Sequence, residues 1–240
     1  MQELQPLTVS KRLPWIDTAR GFAILGIFLV NIATFNSPYF LYGDGQNMWG
    51  PNQSTLWQSI IDIFVQASFY SLFSFLFGFG MYIIYSNLQA KQIEKPNTIL
   101  VKRLFILLGI GMVHAFLIWH GDILISYAII GFLLLLFMKQ SNTSLLVWSM
   151  CLLLIPTVMM SVLMFFATAF APNMNLTDQA AVDASFQNYG NGSWGDILGQ
   201  NMTDWLYANN PFQLFFIICR LLPIFLLGLM FARNKWLHDI

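Results

Sequence analysis

The chain has 240 residues, of which 57% are hydrophobic and only 9% charged, and its mean hydropathy is +0.63. Soluble domains carry about 25% charged residues, so a water-soluble surface is excluded and the bilayer is the natural solvent. The formal net charge is zero, which gives no bulk field for nucleic acid or an acidic partner.

Lys11 and Arg12 precede the first apolar run. Asp17 and Arg20 interrupt the approach, and no small-x-small cleavage pattern follows, so the run reads as an uncleaved first span at 21–36. Further apolar runs at 60–85, 104–119, 123–138, 145–171 and 212–232 give an all-α, polytopic transmembrane bundle of about six spans in a single domain. The third and fourth runs are joined only by His120, Gly121 and Asp122, which makes them a tight helical hairpin. A polar segment at 172–211 reads as a long outer loop. Cys151 and Cys219 lie in apolar runs and read as small packing residues rather than a disulfide framework.

All Lys and Arg residues except Arg220 fall before the first span, between the second and third, after the fourth, or after the sixth. The segments 36–59, 120–122 and 172–211 carry none. The positive-inside rule therefore places both termini in the cytoplasm, in a multi-pass inner membrane protein. Trp15, Trp148 and Trp236 fall at the inner interface on this layout, and Trp57, Trp119 and Trp205 at the outer one.

Ionisable groups inside spans are costly and mark function. Counting along each helix, Asn31, Asp62 and His114 lie roughly 7 Å, and Arg220 about 12 Å, below the outer ends of their helices. The four form one expected polar layer. Asp62, Gln66, Tyr70, Ser74, Gly78 and Tyr82 recur every fourth residue, as either a packing seam or the wall of a cavity. His114 suits a general base near neutral pH, or a bridging hydrogen bond. At the outer turn, Asp122 either caps the fourth helix or orients His120. On the inner side, Asp17 and Arg20 are spaced to pair. Lys91, Lys95, Lys102 and Arg103 suit the phosphates of a cytosolic donor, or topology alone. There is no Gly-rich phosphate loop, no paired Cys/His metal spacing and no internal repeat.

Four stretches resemble YeiB-like bacterial membrane proteins. They are the opening from Asp17 through Arg20, Gly21 and Gly26 to Asn31, the run from Leu72 to Gly80, the hairpin from Gly111 through His114, Trp119, His120, Gly121 and Asp122 to Tyr127, and the run from Arg220 to Gly228. The opening also resembles the first span of the transmembrane acyltransferase superfamily. That resemblance implies transfer of an acyl group from cytosolic acyl-CoA to an extracytoplasmic acceptor, a glycan or lipid-linked sugar. In the acetyltransferase branch a functional histidine follows in the next loop. This chain has no histidine from Asn36 to Ile60, so His114 or His120 must substitute, with Arg220 or Asn31 facing the oxyanion. Asp17, Arg20, Lys102 and Arg103 would receive the donor. YeiB-like proteins usually run longer, with more helices after the sixth, so the chain reads as a truncated or short member.

Two other functions fit the same residues. A small-solute or proton-coupled transporter would use Asp62, His114 and Arg220 as a relay. A non-catalytic assembly subunit would need only the helix seam. The acyl group, the acceptor and homo-oligomerisation are left open by the sequence.

Overall fold

The computed structural model describes residues 14–32, 35, 38–43, 67–170 and 177–237. Among them the elements are α1 (Pro14–Asn31), the single turn α2 (Tyr39–Tyr42), α3 (Ala67–Ala90), α4 (Pro96–Val113), a π-helical continuation (His114–Ile118), α5 (Leu124–Leu135), α6 (Asn142–Phe170), α7 (Gln179–Asn191), α8 (Trp194–Ala208) and α9 (Pro211–Arg233). No described residue lies in a strand.

Four helices are long and apolar enough to cross a membrane: Ser68–Ala90, Pro96–Ile118, Asn142–Phe170 and Pro211–Arg233. The expected first and fourth spans fall short of that standard. α1 has 18 residues with Asp17 and Arg20 in its first two turns, which leaves a short apolar stretch. α5 has 12 residues, or about 18 Å of helix against a hydrocarbon core of about 30 Å. It ends early because residues 136–139 form turns. Arg233 then caps that turn, donating to the Met138 carbonyl at 2.9 Å, to the Gln140 carbonyl and to Asn142 Oδ1 at 3.2 Å. The expected second span is seen as α3 from residue 67, and residues 60–66 lie outside the described residues.

The core forms where α9 packs against α3, α5 and α6. Tyr127, Ile130, Leu134, Phe225, Leu226 and Leu229 are fully buried there. The α3–α9 crossing is a backbone contact. A Cβ on Gly78 would sit 2.1 Å from the Phe225 carbonyl oxygen, and one on Gly228 would sit 2.1 Å from that of Phe75. Gly78 of the every-fourth-residue stripe is therefore part of a small-residue packing seam. α6 instead turns Ile155, Val158, Phe165 and Phe170 outward. A patch that size is unfavourable in water and ordinary in lipid. Cys219 is buried in the bundle, whereas Cys151 is exposed on α6.

Within the expected outer loop, the described residues from 177 onward fold into α7 and α8, and local sequence explains both. The Asp178 side chain accepts from Ala181 N at 3.1 Å to cap α7. Ser193 and Asp196 form a reciprocal capping box at the start of α8. The Asn210 side chain caps α9, whose first residue is Pro211. α8 lies against the π-helical turn that ends α4, so this polar pair covers the end of the bundle that carries the 119–123 connection.

Candidate functional site

The covered end of the bundle gathers two His–Asp pairs. The π-helical turn stops at Trp119, whose backbone is extended. This break puts His120 outside the helix that carries His114, so the two imidazoles serve separate partners. His114 Nδ1 lies 2.9 Å from Asp122 Oδ1. The other oxygen of Asp122 accepts from Ile125 N at 2.8 Å and caps α5. Asp122 thus fulfils the capping expectation, but it orients His114 rather than His120.

His120 pairs instead with Asp204 of α8, at 3.4 Å from Nδ1 to Oδ2. Asp204 is 1% exposed and is held by donors on three sides. Tyr42 donates to it from α2, Tyr189 from α7 at 2.8 Å, and Gln200 Nε2 from the preceding turn at 2.6 Å. Asn188 holds Gln200 in turn, donating to its Oε1 at 2.7 Å. A buried carboxylate is tolerable only when its lone pairs are satisfied in this way.

The network also sets the tautomer of His120. The Tyr189 hydroxyl has one proton, and its acceptors are Asn201 Oδ1 at 2.9 Å and Asp204. Its oxygen lies 3.3 Å from His120 Nδ1 and is left to accept. Both neighbours of Nδ1 are therefore acceptors, so that nitrogen carries the proton and Nε2 keeps its lone pair. Burial lowers the His120 pKa from its ordinary value, and the Asp204 charge opposes that fall. Burial and the bond to Asp204 raise the pKa of Tyr42 and of Tyr189, which keeps both phenols protonated as donors.

His120 and Asp122 also line a cavity of about 600 Å³ with Tyr70, Ser74, Asn209 and Arg220. Arg220 of α9 is exposed, and among the described residues no ion pair reaches it. Asn31 lies a step aside from this cavity and accepts from the Tyr70 hydroxyl at 2.9 Å. Ser74 and Tyr127 exchange a hydroxyl contact of 2.6 Å at the cavity floor. Of the expected polar layer, Arg220 lines this cavity, Asn31 is joined to it through Tyr70, and His114 is turned to Asp122. Asp62 and Gln66 lie outside the described residues. Asp204, Tyr189 and Tyr42 were missed as site residues. The capping signals at Asp178 and Ser193 could have revealed the helices that carry Tyr189 and Asp204.

The opposite half of α3 faces a second cavity, of about 620 Å³, between α1, α3 and α4. Arg20 and Arg103 line it. Asp17 lies 3.7 Å from Arg20, in the expected i,i+3 pair. Lys102 is exposed and does not line this cavity.

The chain is similar to the uncharacterised protein YxaH of Bacillus subtilis, with 35% identity over an alignment of 252 positions that covers all of this chain and 62% of YxaH. An uncharacterised 39.9 kDa protein from the amylase 3' region of Bacillus acidopullulyticus is 34% identical over 139 positions, covering 57% of this chain and 37% of that protein. The uncharacterised protein YeiB of Escherichia coli K12 is 33% identical over 119 positions, covering 48% of this chain and 28% of YeiB. The chain therefore has YxaH and YeiB proteins among its homologues, and it spans less than two thirds of the length of each. No family model and no solved structure matches it.

Proposed function

We propose that the protein is a membrane acyltransferase of YeiB-like kinship, with His120 as general base for an acceptor on the outer side of the inner membrane. The carrying observation is the His120–Asp204 pair at 3.4 Å on a cavity that also exposes Arg220. In this reading α1 and the short α5 join the four long helices within the membrane, with both termini cytoplasmic. The distribution of Lys and Arg supports that orientation.

The chemistry follows from the groups present. Nε2 of His120 takes the proton of an acceptor hydroxyl or amine as that atom attacks the thioester carbonyl carbon. Arg220 faces the oxyanion that develops. The carbon–sulfur bond then breaks, and the imidazolium returns its proton to the leaving thiolate. Asp204 keeps the ring in one tautomer and stabilises its charged form, as the carboxylate of a catalytic triad does. Acyl-CoA is the donor in this scheme. Its phosphates meet the exposed cytoplasmic lysines Lys91, Lys95 and Lys102, and a glycan or lipid-linked sugar is the acceptor.

The test is a transfer assay with the purified protein in proteoliposomes, labelled acyl-CoA outside its basic face and extracted envelope as the acceptor pool. Labelled product that depends on His120 supports the reading. Solute counterflow without any transfer product would replace it with transport.

A further inference from the structure

We infer that the cavity between α1, α3 and α4 binds an anionic phospholipid, with its phosphate on Arg20 and Arg103 and an acyl chain along the apolar wall. The first observation is depth. Arg20 and Arg103 each stand immediately before the apolar run of their helix, at 21–36 and 104–119. Two different helices therefore start an arginine near the level where lipid headgroups lie, and the Arg20 guanidinium reaches inward to donate to the Leu76 carbonyl at 3.5 Å.

The second is a net positive charge. Both arginines line the same cavity. Among the described residues, Asp17 on the first turns of α1 is the acid that pairs with Arg20, at 3.7 Å, and no carboxylate pairs with Arg103. Two like charges at the edge of an apolar wall are stabilised by an anion between them. The planar guanidinium fits phosphate oxygens in pairs.

The third is the wall itself. Beyond the arginines it is formed by Phe73, Phe77, Met81, Ile84, Leu107 and Ile110. From Arg103 to Ile110 this is roughly 10 Å of apolar helix face. None of these side chains carries a hydrogen-bond donor, and the only acceptor among them is the weak thioether sulfur of Met81. The two amides of a pantetheine arm would be left unpaired there, at a cost that a hydrocarbon chain avoids. The lining therefore favours a chain that begins close to its phosphate over acyl-CoA. α1 and α4 also expose Phe22, Ile24, Phe105 and Ile106, so a lipid reaches the cavity without leaving the bilayer. This divides the expected donor set, with Lys102 on the open surface and Arg20 and Arg103 on lipid. The inference rests on the proposed membrane orientation but not on His120.

Arg20 can be moved without deleting it. A Cβ on Gly80 would sit 2.3 Å from Arg20 Nη2, the mobile end of a flexible side chain. Gly80→Ala should therefore displace the guanidinium while the helix remains intact.

The experiment is native mass spectrometry of the purified protein in detergent. It is titrated in separate arms with phosphatidylglycerol, phosphatidylcholine of the same chains, and palmitoyl-CoA. Phosphatidylglycerol should bind tightest, and Arg20→Gln or Arg103→Gln should weaken it about fivefold each. Gly80→Ala should weaken it too, while Lys102→Gln should not. Equal binding of phosphatidylcholine, or tighter arginine-dependent binding of palmitoyl-CoA, would overturn the inference. So would unchanged phosphatidylglycerol affinity in the arginine variants. Lipid binding that survives in a protein without transfer activity would sink the acyltransferase reading alone.

Discussion

His120 and Asp204 meet across 3.4 Å although they belong to different parts of the bundle end, one to the connection after α4 and the other to α8. That contact requires the segment 172–211 to fold over the transmembrane helices. It makes the imidazole's basicity a property of the cover as much as of the membrane domain. Asp204→Asn should preserve the shape but remove the acceptor that fixes the tautomer. Transfer should fall by about 10³- to 10⁴-fold, measured as initial rates of product formation. A drop below tenfold would show that Asp204 does not orient the base.

The acidic limb should report His120. Burial lowers its pKa from 6.5 against the pull of Asp204, so the ring stays neutral at pH 7 and transfer should decline only as pH falls below about 6.5. The same shift affects stability. The unfolded chain binds this proton at higher pH than the folded one, so the contribution is full above about pH 6.5 and is lost as pH falls through the folded value. Thermal unfolding at pH 5.5 and pH 7.5, compared with that of His120→Gln, isolates this histidine.

Tyr42→Phe should destabilise the cover by about 1–3 kcal/mol, because it removes a donor from a buried carboxylate. Limited proteolysis between α7 and α8 should accelerate while the transmembrane helices stay protected. Unchanged proteolysis would mean that Tyr42 does not help to hold Asp204.

The α3–α9 seam should be intolerant of any side chain. Gly228→Ala places a methyl 2.1 Å from the Phe75 carbonyl oxygen, which neither backbone can yield cheaply. A loss of about 1–3 kcal/mol is expected, read as a lower melting temperature in detergent. Gly190→Ala meets nothing within 4 Å and serves as the control.

Orientation can be read by labelling. With Cys151 and Cys219 replaced, Gly190→Cys should react with a membrane-impermeant maleimide in intact cells. Lys95→Cys should react only after permeabilisation. The opposite pattern would invert the proposed topology.

Much of the helical plan was legible in the sequence, because four long apolar runs overlap the helices Ser68–Ala90, Pro96–Ile118, Asn142–Phe170 and Pro211–Arg233. The end of α5 was not, since the expected run reaches 138 while the helix stops at Leu135, where a turn capped by Arg233 from a distant helix begins. Counting residues gives depth along a helix but not the direction a side chain faces. Counting therefore gives Asn31 and Arg220 a depth, while the partner of His114 could not be read. It proved to be Asp122, across the hairpin. Asp204 was hidden for another reason. Its segment was polar enough to resemble a loop, and the capping box from Ser193 to Asp196 was the local signal of a helix.

The central claim is best tested by comparing His120→Gln with His114→Gln in the proteoliposome transfer assay. Both histidines face a buried carboxylate, but of the two only His120 lines the cavity with Arg220. His120→Gln should lose transfer by on the order of 10²- to 10⁴-fold, with His114→Gln within a few fold of the parent. Full activity in His120→Gln, or the larger loss in His114→Gln, would contradict the assignment.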